Sequence, residues 1–321
     1  MTNILQVENL TKTIKGVNLV ENIGFSVKSG EVFGFLGPNG AGKTTTIRML
    51  VGLIKPTSGR IAIAGHDVFK EFKSAMKNVG CIVENPELYG YLTGWEVLKQ
   101  YARMQGNVHE DRLREIVEQV NLSERIHDRV KTYSLGMKQR LGIGQALIGK
   151  PRLLILDEPT NGLDPAGIKE LREFVRTLVE KENMSVFISS HLLSEIQLMC
   201  DRVAIIDRGR MITVSTVEDL LHNHSGDMVE WIVEPIDLAQ ELIASYKGVS
   251  KLTIRDKSIF CKVDPILIPE IVQKLTSNGI AITKVAEKII TLEDLFMQLT
   301  SGRKQPSSLK QNSELTLKEV Q

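Results

Sequence analysis

The chain has 321 residues, with 40 Lys and Arg against 39 Asp and Glu, so its formal charge is +1. That length predicts about two domains with sizeable cores. Near-neutrality withholds the broad basic surface that nucleic acid requires, and a composition 42% hydrophobic, 25% charged and 5% aromatic excludes a disordered, collagenous or coiled-coil chain. The longest apolar runs, such as Leu153 to Leu156, fall far short of the ~20 residues that span a bilayer. The opening MTNILQVENLTK lacks an apolar core and a small-residue cleavage site, so a cytoplasmic location is expected. Cys81, Cys200 and Cys261 are odd in number and widely spaced, which disfavours a disulfide framework and a zinc site and reads as buried or incidental thiols.

In chain order, alternation at Ile23, Phe25 and Val27, then Val32 to Phe35, predicts two strands around a turn at Ser29-Gly30. A Gly-rich loop follows at once, and Ile61 and Ile63 mark another strand. From about Pro86 to Lys150 the pattern becomes helical; Thr93 with Glu96 forms a capping box, and Val97, Leu98 and Tyr101 continue one face. Strands return at Leu153 to Leu156, Val186 to Ser190 and Val203 to Ile206. Between them a helix starts at Pro165 with Asp164 as N-cap and Ile168, Leu171, Val175, Leu178 and Val179 on one face. The polar stretch His222 to Asp227 reads as a linker. Beyond it, strands near 229–233, 252–254, 259–263 and 280–285 and helices near 236–245 and 268–275 predict a small α+β domain, and the tail from Arg303 is too poor in apolar residues to fold.

Gly37-Pro38-Asn39-Gly40-Ala41-Gly42-Lys43-Thr44 matches GxxxxGKS/T between an apolar strand and a helix-compatible segment that opens with Thr45. The glycines let backbone amides wrap a phosphate chain at a helix N-terminus. Lys43 then reaches the β- and γ-phosphates, and the Thr44 hydroxyl helps hold magnesium. Leu153 to Leu156 runs into Asp157-Glu158 at the carboxyl edge of the sheet. Asp157 is placed to serve magnesium; Glu158, pointing the other way by strand alternation, can address an attacking water as general base. Ser189-Ser190-His191 closes a third strand, where an imidazole can sense the γ-phosphate, and Asn161-Gly162-Leu163-Asp164 supplies a tight turn with a carboxylate.

Together these segments resemble the nucleotide-binding subunits of ABC transporters. The discriminating piece is Ser134-Leu135-Gly136-Met137-Lys138-Gln139-Arg140, a variant of the LSGGQ signature, which lies between the two Walker segments. The resemblance implies that Ser134 and Gly136 complete the ATP site of a second cassette in a head-to-tail dimer, with Asp164 as an inter-subunit loop residue and His191 as the switch histidine. A hydroxyl and amides at a helix N-terminus suit an exposed γ-phosphate. GFLGPNGAGKTTTIRMLVGLIKPTSG, YSLGMKQRLGIGQAL, LLILDEPTNGLDPAGIKELR and FISSHLLSEI look most like bacitracin-resistance and lantibiotic self-immunity exporter subunits, and TLEDLF resembles the end of their accessory domain.

Two positions depart from the wider family. Glu84 stands where most members have Gln, as in lantibiotic-immunity subunits, and brings a formal charge near magnesium and water; a role coupling site occupancy to the membrane partner is expected. Ile14 aligns with the aromatic residue that stacks on adenine, which implies weaker discrimination of ATP from GTP, base stacking being worth ~1 to 3 kcal/mol in nucleic-acid sites.

The resulting expectation is a P-loop α/β cassette over residues 1–222, with a helical subdomain at about 86–150, an α+β accessory domain at 223–302 and a tail at 303–321. It would bind ATP and Mg2+ (Thr44, Asp157, Glu84), hydrolyse ATP and drive separate transmembrane permeases of a peptide-antibiotic exporter from the inner membrane face. Export of another drug or a lipid is the alternative. A soluble ATPase acting on ribosomes or DNA fits less well: one Lys-bearing P-loop occurs, and the about 110 residues between Lys43 and Asp157 leave no room for a long coiled coil.

Overall fold

A computed structural model describes residues 2–84, 86–106, 108–224, 228–255, 257–287 and 291–301. The expected tail at 303–321 lies outside them. Along the chain run β1 (Asn3–Ile14), β2 (Val17–Lys28), β3 (Val32–Leu36), α1 (Lys43–Leu50), β4 (Ser58–Ile63), β5 (His66–Asp67), α2 (Phe72–Met76) and β6 (Val79–Ile82). The helical segment holds α3 (Gly94–Met104), α4 (Glu110–Gln119) and α5 (Leu135–Leu147). Next come β7 (Leu153–Asp157), α6 (Pro165–Glu182), β8 (Ser185–Ser190), α7 (Leu193–Met199), β9 (Arg202–Asp207), β10 (Arg210–Thr216) and α8 (Val217–His224). The last unit comprises β11 (Met228–Glu234), α9 (Ile236–Ala244), β12 (Ser250–Arg255), β13 (Ser258–Lys262), α10 (Ile268–Ser277), β14 (Ala281–Glu287) and α11 (Leu292–Ser301).

The central sheet has the order β10-β9-β3-β8-β7-β6, parallel except for β10. Its middle strands are buried along their whole length, so strand alternation sorts their side chains into two apolar layers. Val32, Leu36, Leu154, Leu156, Val186 and Ile188 face the layer filled by α6 and the helical segment. Phe33, Phe35, Leu153, Ile155 and Phe187 face α1 and a second, antiparallel sheet ordered β2-β1-β4-β5. The two sheets meet through aromatic rings: Phe25 of β2 lies 5.4–5.9 Å from Phe33, Phe35 and Phe187.

Local signals set the helix starts. Thr93 and Glu96 exchange both bonds of a capping box ahead of α3. Asp164 accepts from the Gly167 amide at 3.0 Å, with Pro165 in the first turn of α6. On α3 the buried stripe runs through Val97 and Leu98 to Ala102, whereas Tyr101, expected on that face, is 38% exposed; the i, i+4 neighbour of Leu98 takes the inward position. Of the three thiols, Cys200 and Cys261 are buried, but Cys81 is exposed on the edge strand β6.

The C-terminal sheet, β12-β13-β11-β14, is antiparallel throughout and closes its own core around Trp231 against α9 and α10. The expected linker differs in part: residues 222–224 belong to α8, and 225–227 lie outside the described residues. A further difference concerns α11, whose Leu292 and Leu295 are buried in the main apolar layer instead of the C-terminal core. Phe187→Ala, which empties the joint between the sheets, should destabilise by about 3–5 kcal/mol, against about 1 kcal/mol for Thr93→Ala; urea unfolding of both variants tests that order.

Candidate active site

The site forms where three adjacent strands, β3, β8 and β7, end at one edge. After β3 the loop of residues 37–42 turns into α1. Gly42, at φ +103°, is the N-cap and gives no side-chain hydrogen bond, so the first amides of α1 keep their capacity for an anion. A Cβ on Gly42 would lie 2.7 Å from the Leu19 carbonyl oxygen, and one on Gly37 would lie 2.4 Å from that of Ile206. These glycines let the loop lie flat on β2 and β9. Pro38, Asn39 and Gly40 form its outer rim, the Ala41 amide donates to the Pro38 carbonyl, and Thr44 and Thr45 are half-buried.

Lys43, only 6% exposed, folds back beneath the loop. Its Nζ donates to the Gly37 carbonyl at 2.7 Å and the Pro38 carbonyl at 3.2 Å, and stands 3.1 Å from Glu158 Oε1. Glu158 Oε2 is 2.7 Å from His191 Nδ1. A cation, a carboxylate and an imidazole thus form one line across the strand ends. Strand alternation alone does not aim Glu158: β7 ends at Asp157, and Glu158 adopts φ +49°, a left-handed conformation that costs a non-glycine residue about 1–2 kcal/mol. Ser189 holds it there. The Ser189 hydroxyl accepts from the Glu158 amide at 2.9 Å and donates to Asp157 Oδ1 at 2.6 Å.

Asp157 is buried, and its Oδ2 has no hydrogen-bond partner among the described residues. Burial pushes its carboxyl above the ordinary aspartate range; the Ser189 and Thr44 hydroxyls oppose that rise, and the charges of Glu158 and Glu84 add to it. A buried carboxylate oxygen without a partner, with a threonine hydroxyl close by, suits a hard divalent cation. Glu84 does not join this pair. At φ +65° on the exposed loop after β6, its carboxylate is held at 2.5 Å by Arg48 of α1.

Ser134 and Gly136 lie at the start of α5 and Asp164 at that of α6. Ser134 is the N-cap of α5, accepting from the Met137 amide at 3.2 Å, and α5 starts beside the Leu163 turn. A Cβ on Gly136 would meet nothing closer than Leu163 Cδ2 at 3.7 Å, so no neighbour in this chain requires glycine there. Ile14 is 46% exposed at the end of β1, with an aliphatic surface available to a planar ligand.

Residues 20–161 match the ABC transporter family, and residues 216–300 match the C-terminal domain of ATP-binding proteins like DrrA1-3. The ABC transporter ATP-binding protein YhcH of Bacillus subtilis (strain 168) is 46% identical over 307 residues, covering 95% of this chain and 98% of its own length. The chain belongs to the ABC transporter ATP-binding family. The bacitracin transport ATP-binding protein BcrA of Bacillus licheniformis is 40% identical across 94% of this chain and 99% of its own. Among solved structures, the ATP-binding subunit of an ABC transporter aligns with a TM-score of 0.61 at 32% identity, over 68% of this chain and 92% of that one. This ABC protein therefore binds and hydrolyses ATP.

Within the ABC protein, Lys43, Asp157, Glu158, His191 and the loop 37–44 converge, while among the described residues no hydrogen bond or ion pair joins Ser134, Gly136 or Asp164 to them. Two contributors carry no motif of their own. Ser189 was visible as part of Ser189-Ser190-His191, but its bridge to both acids depends on β7 and β8 lying side by side. Arg48 was an unmarked helix residue, and its pairing with Glu84 joins positions 36 apart. Ser189→Ala leaves the Asp157 oxygen and the Glu158 amide unsatisfied together, so a stability loss of about 2–3 kcal/mol with weakened hydrolysis is expected. Urea unfolding and a phosphate-release assay check it; a loss near zero on both would contradict the bridge.

Proposed function

We propose that this ABC protein is the ATP-hydrolysing subunit of an exporter of a peptide antibiotic of the bacitracin or lantibiotic type, serving resistance or self-immunity. It acts at the inner face of the membrane with a second cassette and separate transmembrane permeases. Among the described residues no helix is long and apolar enough to cross a membrane, which is consistent with a cargo path through other subunits. The cargo reading rests on the likeness to the bacitracin transport protein, which runs through the C-terminal unit as well. We take residues 1–222 as the cassette, with about 86–150 as its helical subdomain, and 223–302 as the accessory domain.

The catalytic part rests on one observation, the line Lys43, Glu158, His191 under the phosphate loop. When ATP enters, the first-turn amides of α1 receive phosphate oxygens, and Lys43 exchanges the Gly37 and Pro38 carbonyls and Glu158 for them. Glu158 is then released on one oxygen while His191 still holds the other. It accepts the proton of the attacking water as the water oxygen bonds to the γ-phosphorus and the bond to the β-phosphate oxygen breaks. Asp157 and Thr44 would hold Mg2+, which when bound supplies positive charge to the phosphates; Glu84, tied to Arg48, lies outside that pair. Proton removal and charge neutralisation are thereby assigned to different carboxylates.

Members of this family work as dimers with permease partners. A head-to-tail arrangement is supported by Gly136, whose open Cβ position has no reason within its own chain. Ser134 and Gly136 would then close on the γ-phosphate held by the partner's loop. Glu158→Gln should lower hydrolysis by about 10²–10⁴-fold and make the protein dimerise with Mg-ATP, while adding Gly136→Asp should return it to a monomer in light scattering. A Glu158→Gln protein that stays single with Mg-ATP, in solution and in its membrane assembly, would refute the arrangement. In cells, deletion of the gene should increase sensitivity to bacitracin or a lantibiotic, restored by the wild-type gene and not by Glu158→Gln. Unchanged sensitivity to both classes would reject the cargo.

A further inference from the structure

His191 is followed almost at once by α7, a helix of seven residues without a side-chain cap at its start. So short a helix has no stability of its own, and its position is set by what packs on it. On the inner side Ile196 and Met199 are buried against β3, over Gly34. A Cβ at Gly34 would lie 2.9 Å from Ile196 Cγ2 and 3.1 Å from Cys200 Sγ. Laterally, Arg172 of α6 reaches Glu195 at 3.9 Å.

The remaining support comes from the far end of the described chain. Leu292 and Leu295 of α11 are fully buried in the same apolar layer as Ile196 and Met199, with Phe296 packed beside them. The Leu292 amide belongs to the first helical turn, where no intrahelical acceptor exists, and it donates to Gln197 Oε1 of α7 at 3.1 Å. The start of α11 is itself fixed, because the Asp294 amide donates to Thr291 Oγ1 and the Thr291 amide donates to Asp294 Oδ2, both at 3.2 Å. The apolar face and the capping bond therefore engage α7 in one register.

We propose that α11 is a built-in brace that positions His191 through α7, so that the C-terminal unit sets the hydrolytic rate of the cassette. Gln197, Leu292 and Leu295 are its positioning residues. Removing the brace frees α7, so that the imidazole just before it can move away from Glu158, two groups that meet at 2.7 Å. The P-loop helix is insulated from this change, since Ile47, Met49 and Leu50 of α1 pack in the opposite layer of the sheet. The brace should thus govern kcat and leave nucleotide binding alone. Anything that displaces the C-terminal unit would be read at His191. This inference rests on the hydrolytic role given to His191 above.

The full-length protein tests it through Gln197→Ala, Leu295→Ala and Leu295→Met. For the two alanine variants kcat should fall about tenfold with KM for Mg-ATP within about twofold, and Leu295→Met should restore kcat. Hydrogen exchange should quicken in residues 191–199 and stay at the wild-type rate in 43–50. Faster exchange at 191–199 with unchanged kcat would overturn the brace, as would parallel changes in kcat and KM or a methionine variant no better than alanine. Should Leu295→Ala fail to fold, the half-exposed Gln197 carries the same comparison. A wild-type protein that does not hydrolyse ATP would sink the earlier functional reading, and exchange at 191–199 in Gln197→Ala would then decide the brace alone.

Discussion

An ammonium and a carboxylate, both largely withdrawn from water, face each other under the phosphate loop: Lys43 and Glu158 stand 3.1 Å apart. Either charge alone would be costly at that depth, so each requires the other or a replacement. Triphosphate is such a replacement for Glu158, because it offers Lys43 several anionic oxygens. In the proposed mechanism, ligand binding and liberation of the general base thereby become one event. That dependence also explains why Lys43 satisfies its remaining donors on the Gly37 and Pro38 carbonyls.

The strand order makes this meeting possible. Lys43 follows β3 and Glu158 follows β7, and β8, which carries Ser189 and is followed by His191, lies between them. Side chains from the outer two strands converge over the middle one, where Ser189 fixes both acids from below and His191 holds Glu158 from beyond. The two faces of the same sheet have separate duties. One carries α1 and the antiparallel sheet, and supports phosphate binding. The other carries α6, α7, α8 and α11, and lies under the groups that the proposed mechanism sets on the γ-phosphate.

The C-terminal unit is divided along the same line. Its sheet closes a private core around Trp231, whereas α11 packs its apolar face on the cassette. A domain that packed only on itself would leave the cassette indifferent to it. The returning helix removes that indifference, and it does so at the element next to the histidine.

Much of the site was legible in the sequence because its chemistry is local. Gly37 to Thr44 encodes a loop whose lysine bonds back to the loop's own Gly37 and Pro38 carbonyls, and Asp157-Glu158 follows a run of four apolar residues that reads as a buried strand. Thr93 with Glu96 and Asp164 with Gly167 fix helix starts through bonds spanning three residues. Left to the tertiary structure were the contacts between distant positions: the Ser189 bridge, the Arg48 hold on Glu84, the left-handed turn that aims Glu158, and the seat of α11 on α7. Each depends on which strands and helices lie side by side, and strand order is set by the packing of whole layers and not by any short stretch of residues.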